Sequence, residues 1–512
     1  MALSPMMSHY LETKEKYKDC ILFYRLGDFY EMFFEDAIKV SALIDLTLTG
    51  KDCGLEQKAP MCGVPFHAAD IYISKLVSMG EKVAICEQLT EASANSRELV
   101  KRDVIKVVTA GTVTNNELID EKSNNFLACV YIKNAKAGVA WADITTGEFF
   151  ARDFSGDNVY SDLLDTLVRI SPVEIICNSE TGDIFRDLPL VKYGALPKFN
   201  MFTESEFEFS IAENTLKTQF KVLSLDAFLI KGYENCICSA GALISYLKET
   251  QKQMLSIINS VKIENADEFM MLDINAIRNL ELVKTLKDGK RYGSLLWLLD
   301  KTKTSMGARK LQSWILAPLI DEKKINYRLS GVESLYNNTL IRQSIASILS
   351  SVRDVGRITG KISNGNLMPK DCVSLKNSLE ILPNIKFQLL GIESEFIKDI
   401  SDNLNDFSDM VSLLGNAIEP EPPNNLKDGG YIKTGYSHEL DELRSLSKNS
   451  KACIAQIENN EREKTGIKNL KIGYNRVFGY YIEVTNSFKD KVPYEYQRRQ
   501  TLSNAERYIT GT

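Results

Sequence analysis

The hydrophobic periodicity of this chain changes character twice, and no single repeating architecture satisfies all three patterns. Up to about Thr250, short strand-like and helix-like runs alternate. From Asn265 to about Asn460 the apolar residues recur at helical spacing, as in Asp273–Thr285, Met306–Leu316 and Ser437–Glu463. Gly473–Asn486 returns to strand composition, and helical character is expected to resume near Arg498. A chain of 512 residues is also too long for one core, so roughly three or four domains are expected. The fold class predicted is multidomain: α/β units, then a mainly α part of long helices carrying a β-rich tip.

The first ~112 residues read as a small α/β unit. Cys20–Leu26 is a strand, Gly27-Asp28 a turn, and Tyr30–Ile44 a helix with Tyr30, Phe33, Ala37, Val40 and Ile44 on one face. Ile71–Met79 reads as helix and Lys82–Glu87 as extended chain, and the basic residues Arg97, Lys101, Arg102 and Lys106 lead into a strand at Ile105–Thr109. The polar, aperiodic Asn115–Asn125 reads as a linker. Phe126–Phe154 alternates like a β-meander, with turns at Lys133–Gly138 and Thr145–Gly147. A helix over Val159–Arg169 and a strand over Val173–Cys177 complete a second α/β unit. In the helical part, turns are expected at Pro318, Pro369 and Pro383, and the Pro420–Gly430 cluster breaks the series.

Composition excludes several classes. No apolar run is long enough to span a bilayer and no signal-peptide core opens the chain, so a cytoplasmic protein is expected. Ten cysteines lie scattered without a C-x-x-C, beside only His9, His67 and His438, so reduced thiols rather than a zinc site are expected. The net charge of -6 hides an asymmetry. Lys464–Thr512 holds nine Lys/Arg and four Asp/Glu, a net of +5, which leaves -11 on the rest. The same stretch carries eight aromatics. A basic, aromatic segment on an acidic body fits a local DNA contact, and it fits equally a solvated hairpin with a chance charge excess.

Gly27–Phe33 (GDFYEMF) falls where the strand is expected to become a helix, and two readings compete. As structure, Asp28 caps the helix, Glu31 returns the bond and the aromatics pack the core. As function, Phe29 is an apolar wedge with Glu31 a polar reader beside it. Wedges unstack base steps and kink a duplex by roughly 20–90°. A mispaired step should open at lower cost than a paired one, so a wedge can find errors without reading sequence.

GDFYEMF resembles the mismatch-binding motif of the MutS family, whose F-x-E falls on Phe29 and Glu31. The resemblance is collinear through Ser4–Met7 (SPMM), Pro60–His67 (PMCGVPFH), Val83–Gln88 (VAICEQ), Asp143–Phe149 (DITTGEF), Gly293–Asp300 (GSLLWLLD), Met306–Arg309 (MGAR), Gly473–Tyr481 (GYNRVFGYY) and Arg499–Tyr508 (RQTLSNAERY). It departs at Ala110, where the family usually has proline. The resemblance implies a mismatch-binding domain (1–112), a ribonuclease-H-like connector (123–252), a helical core and lever (258–450) and a clamp (451–512). It implies Phe29 as the intercalating wedge and Glu31 as the contact to a mispaired base. A carboxylate amid phosphates resists ionisation, so Glu31 is expected to be at least partly protonated and to donate that bond. The clamp residues implied are Asn475, Arg476, Lys489, Arg498, Arg499 and Asn504, as amide or cationic phosphate ligands. Lys101, Arg102 and Lys106 are added as backbone contacts of the first domain. Implied partners are duplex DNA with mismatches or small loops, a second copy of the chain, and a MutL-type repair protein.

Two rivals are a non-DNA scaffold, which the charge asymmetry disfavours, and a metal-dependent nuclease. The latter would use Asp143, Glu148 and Asp153, provided that the meander brings them together on metals ~4 Å apart. No cofactor is expected for this span. By the resemblance, ATP and Mg²⁺ belong to an ATPase domain, which with the returning lever is missing here, and no G-x-x-x-x-G-K-[ST] occurs. Gly356–Ile362 is a decoy, with too short a spacing between glycines and no Ser or Thr after Lys361. The 512-residue chain should therefore show no saturable micromolar binding of a labelled ATP analogue in an equilibrium titration.

Overall fold

A computed structural model describes residues 3–90, 101–115, 119–192, 194–228, 232–252, 255–265, 268–424, 426–448, 450–475 and 479–510. The chain divides into two compact units, Met1–Leu414 and Gly415–Thr512. Among the described residues no helix is long and apolar enough to cross a membrane.

The first sheet is built from β1 (Cys20–Leu26), β2 (Phe29–Phe33), β3 (Thr49–Lys51), β4 (Ala59–Pro65), β5 (Lys82–Gln88) and β6 (Arg102–Val108), in the order β3-β4-β2-β1-β5-β6. β1 lies inside the sheet, parallel to β5 and antiparallel to β2, with both faces covered, hence its unbroken apolar run rather than an alternation. Helix α1 (Pro5–Lys16) starts on Ser4, whose hydroxyl accepts from Met7 N, with Pro5 in the first turn where its missing N–H costs nothing. α2 (Phe34–Ile44) and α3 (Ala69–Ser78) pack with Tyr30, Met32 and Val83 on one sheet face, whereas Met7 and Tyr10 of α1 pack with Tyr24 and Phe33 on the other.

One element here differs from expectation in a way that matters. The helix predicted from Tyr30 begins only at Phe34, and Phe29–Phe33 is a strand. Asp28 therefore caps no helix; it sits in the Gly27–Asp28 turn of the β1–β2 hairpin, where Leu26 pairs with Phe29 and Gly27 takes φ +58. Helical and strand spacing both fit so short an apolar run, and hydrogen bonds to β1 and β4 on either side settle it.

The second sheet contains the expected meander, β7 (Leu127–Lys133), β8 (Lys136–Asp143) and β9 (Glu148–Phe154), with β10 (Glu174–Cys177), β11 (Phe199–Met201) and β12 (Lys262–Ile263) in the order β11-β10-β7-β8-β9-β12. Helix α4 (Val159–Ile170) covers one face and the long helix Glu234–Gln251 the other. The latter meets the sheet at Gly138, where an added Cβ would stand 2.2 Å from the carbonyl of Asn235.

The segment read as a linker is pinned where it is described. Arg357, buried, donates to the carbonyls of Asp120 (3.1 Å) and Ser123 (2.7 Å), and Arg309 to that of Glu121 (2.9 Å). Arg309 also grips Asp354 with two bonds of 2.6 and 3.0 Å. Upstream, the Thr109–Thr112 turn docks on buried Glu174, which accepts from Thr109 Oγ1, Gly111 N and Tyr246 OH.

The helical part differs in detail from expectation. Asp273–Thr285 is helical only over Ile274–Asn279, and Pro369 and Pro383 open helices (Pro369–Glu380 and Leu382–Leu389) instead of marking turns between them. In the second unit, the helix expected over Ser437–Glu463 is present as His438–Lys448 and Ser450–Thr465, with Asn449 outside the described residues. Helix does not resume near Arg498. β13 (Lys471–Asn475), β14 (Gly479–Thr485), β15 (Gln497–Thr501) and β16 (Ala505–Ile509) form one antiparallel sheet in the order β13-β14-β16-β15, over a core of Ile467, Leu470, Ile482, Val484, Tyr496 and Tyr508.

Gly138→Ala should lower the stability of the first unit by about 2–4 kcal/mol, because the methyl meets backbone that cannot yield without moving the helix. Thermal or denaturant unfolding measures this; an unchanged midpoint would mean that the helix N-terminus is not seated on β8.

Candidate nucleic-acid interface

Strand alternation puts Phe29, Glu31 and Phe33 on one face of β2. Phe33 is buried under α1, but Phe29, at the hairpin end, is 47% exposed. Leaving about half a phenylalanine in water forgoes roughly 1 kcal/mol of burial. A lone exposed aromatic is ordinary; what sets this one apart is its neighbour. Glu31, one alternation inward, is half-buried, and its carboxylate takes an ion pair from Lys51 on β3. Gly63 lies opposite Glu31 on β4, where a Cβ would stand in contact with Glu31 Cγ at 3.4 Å.

The basic residues of this domain divide. Arg102 lies over the Tyr24 ring at 5.4 Å, its Nε donating to the carbonyl of Arg25 at 3.0 Å. Lys101 is exposed, and Arg97 lies outside the described residues. Lys106 does not fit the backbone-contact role expected of it. It is half-buried and turned inward, donating to Thr114 Oγ1 at 2.7 Å, and burial pushes its ammonium down to about 8 against the opposing pull of Asp70. Its register opposite Ile85, which packs on the α3 side of the sheet, directs it inward, whereas Ile105, one residue before it, is exposed.

In the second unit the cations converge on an anion. Glu506 is buried and accepts from Lys489 (2.9 Å), Arg498 (3.3 Å) and Tyr508 OH, which together hold its carboxyl down at about 2, the tyrosine bond foremost. Lys489 and Arg498 keep more than half their side-chain surface in solvent. Arg499 is exposed on β15, Asn504 is exposed in the β15–β16 turn, and Asn475 ends β13 opposite Gly479. Arg476 lies outside the described residues.

Profiles of three domains of one family match this chain in order: MutS domain I at residues 4–117, MutS domain II at 125–259 and MutS domain III at 275–500. The chain belongs to the MutS family. It is 48% identical over 508 residues to the DNA mismatch repair protein MutS of Ruminiclostridium cellulolyticum, covering 99% of this chain and 58% of that one. The MutS of Acetivibrio thermocellus is 45% identical over 515 residues (99% and 58%), and that of Clostridium tetani 45% over 519 residues (100% and 57%). The chain thus spans somewhat more than half the length of these relatives.

Within MutS domain II the nuclease reading fails on geometry. Asp143 is buried and consumed by Asn125 N (2.9 Å), Thr145 N (2.9 Å) and Thr145 Oγ1 (2.6 Å), holding the β8–β9 turn. Glu148 pairs with it across that turn, its pKa raised by burial and then by Asp143. Asp153 lies at the far end of β9, five residues on and so on the opposite face, and accepts from Cys236 N at 3.3 Å. Among the described residues no cluster of three or more His, Cys, Asp or Glu could hold a metal. The residue that sequence reasoning missed in MutS domain I is Lys51, whose pairing with Glu31 needs the β3-β4-β2 order.

Lys106 gives a pH prediction. Its pKa is depressed in the folded chain, so between about pH 8 and the ordinary lysine value the unfolded chain binds more protons and stability rises with pH. Lys106→Met should stabilise the first unit by about 1–2 kcal/mol at pH 7, and the gain should shrink as pH rises past 8. Melting curves from pH 7 to 10 test this; a gain that is constant with pH would refute it.

Proposed function

We propose that this chain is the mismatch-reading portion of a DNA mismatch-repair protein. The observation that carries the reading is the exposed Phe29 ring beside Glu31, at the hairpin end of β2. The ring inserts at a weakened base step and kinks the duplex, while Glu31 hydrogen-bonds a base of the mispair. Arg102 and Lys101 steady the backbone near the wedge. The domain boundaries are those the family resemblance implies, with residues 451–512 as the clamp. Its phosphate ligands are Lys489, Arg498 and Arg499, with Asn475, Arg476 and Asn504, and they supply affinity without sequence preference. Membership in the MutS family and the relatives' identity as DNA mismatch repair proteins support this reading. ATP and Mg²⁺ chemistry, pairing with a second copy and engagement of a MutL-type partner are assigned to the complete protein, cytoplasmic in location, of which the relatives' greater length gives the measure.

Phe29→Ala separates wedge from core. The chain should melt within about 1 kcal/mol of the parent, since the ring is half in solvent. Preference for a G·T or one-base-loop heteroduplex over matched DNA should disappear, with matched-DNA affinity little changed. Fluorescence anisotropy at several salt concentrations measures both, and equal loss on the two duplexes would refute the wedge.

A further inference from the structure

Glu31 presents a physical problem that the reading above leaves open. A carboxylate placed to meet a base must approach a polyanion, and a half-buried side chain free to rotate would be poorly aimed. The fold answers both through Lys51. β3 is the edge strand, and Lys51 is paired there with Ala59 of β4. Its side chain crosses β4 to reach β2: Nζ lies 5.7 Å from the centroid of the Phe33 ring and ends on Glu31 Oε2. On β4 the residue opposite Glu31 is Gly63 and the one opposite Phe33 is Met61, so the side chain runs diagonally from the level of Ala59 past that of Met61. Glu31 keeps only 14% of its side-chain surface exposed and Lys51 32%, so solvent screens the pair less than it would a surface pair. Arg25, the neighbouring cation on β1, is engaged with Glu87 at 3.5 Å and lies over the Phe66 ring at 3.8 Å.

We infer that Lys51 is a positioning residue for Glu31: it fixes the carboxylate beside Phe29 and cancels its charge until a duplex is in place. The inference rests on the mismatch-reading assignment of Glu31, and it concerns how that group is made ready. Lys51 acts through Glu31, not as one more phosphate ligand, and this distinction is measurable.

Two experiments on the 512-residue chain decide it. In the absence of DNA, trace acetylation read by mass spectrometry should label Lys51 several-fold more slowly than the exposed Lys287, and Glu31→Gln should bring the two rates together. Labelling of Lys51 as fast as Lys287, unmoved by Glu31→Gln, would overturn the inference whether or not the chain binds DNA tightly. The second is a double-mutant cycle on a labelled G·T heteroduplex at low ionic strength. Lys51→Met should weaken binding by about tenfold where Glu31 is intact, because it leaves a poorly solvated charge unpaired. Its effect should fall to about twofold or less in the Glu31→Gln background, and Lys51→Arg should restore most of the loss. Equal losses in both backgrounds would make Lys51 a phosphate contact and refute the proposal. A melting point for Lys51→Met within a few degrees of the parent excludes a purely structural loss. Failure of Phe29→Ala to alter discrimination, with the Lys51–Glu31 coupling still present, would strike the wedge and leave this pairing standing.

Discussion

The site on the first sheet depends on a buried carboxylate, Asp36. It sits in α2 and accepts from Lys14 Nζ at 2.8 Å, Tyr10 OH at 3.2 Å and the backbone N–H of Leu22 at 3.0 Å. A charge this deep persists only if every lone pair is met, and here α1, α2 and β1 each supply or carry a partner. Burial, with Asp36 next to it, pushes the Tyr10 phenol far above its ordinary range, so the tyrosine stays a neutral donor. The consequence is geometric. α1 is tied across one end of the sheet face, over Phe33 and Tyr24, and Phe29 at the hairpin end stays half exposed.

Buried polar groups also fix the joints of the first unit. Glu174 takes the turn that ends the first α/β unit, Asp143 takes the entry to the meander, and Arg309 and Arg357 hold the intervening carbonyls. None of these adds much net stability, since each exchanges water for protein. Removing one partner would strand the other, which is how such contacts specify an arrangement. The described residues of the stretch that joins the first two α/β units are therefore anchored by these bonds.

Three of the groups assigned to the ligand are engaged in ion pairs within the chain. Glu31 is held by Lys51, and Lys489 and Arg498 share Glu506. Two cations around one buried anion leave a net positive charge at fixed positions, with less rotamer freedom to lose on meeting a phosphate. Glu31 is the mirror case, an anion kept neutral overall by one cation.

Much of this was legible in the order of residues. Phe29 and Glu31 stood out only through the collinear set of motifs that resembles the MutS family, and the meander, α4 and the basic aromatic segment followed from periodicity and charge. Local pattern decides such elements because each buries its own apolar stripe. It failed at Phe29–Phe33 and near Arg498, where a short run fits strand or helix equally and the neighbouring strands choose, and at Asp273–Thr285, which is helical only over Ile274–Asn279. It failed differently at Lys106, whose direction is set by its register against β5, and at Lys51, twenty residues from Glu31 and across another strand. Side-chain chemistry is written residue by residue, but which charges meet depends on strand order, and strand order comes from long-range pairing that no local window contains.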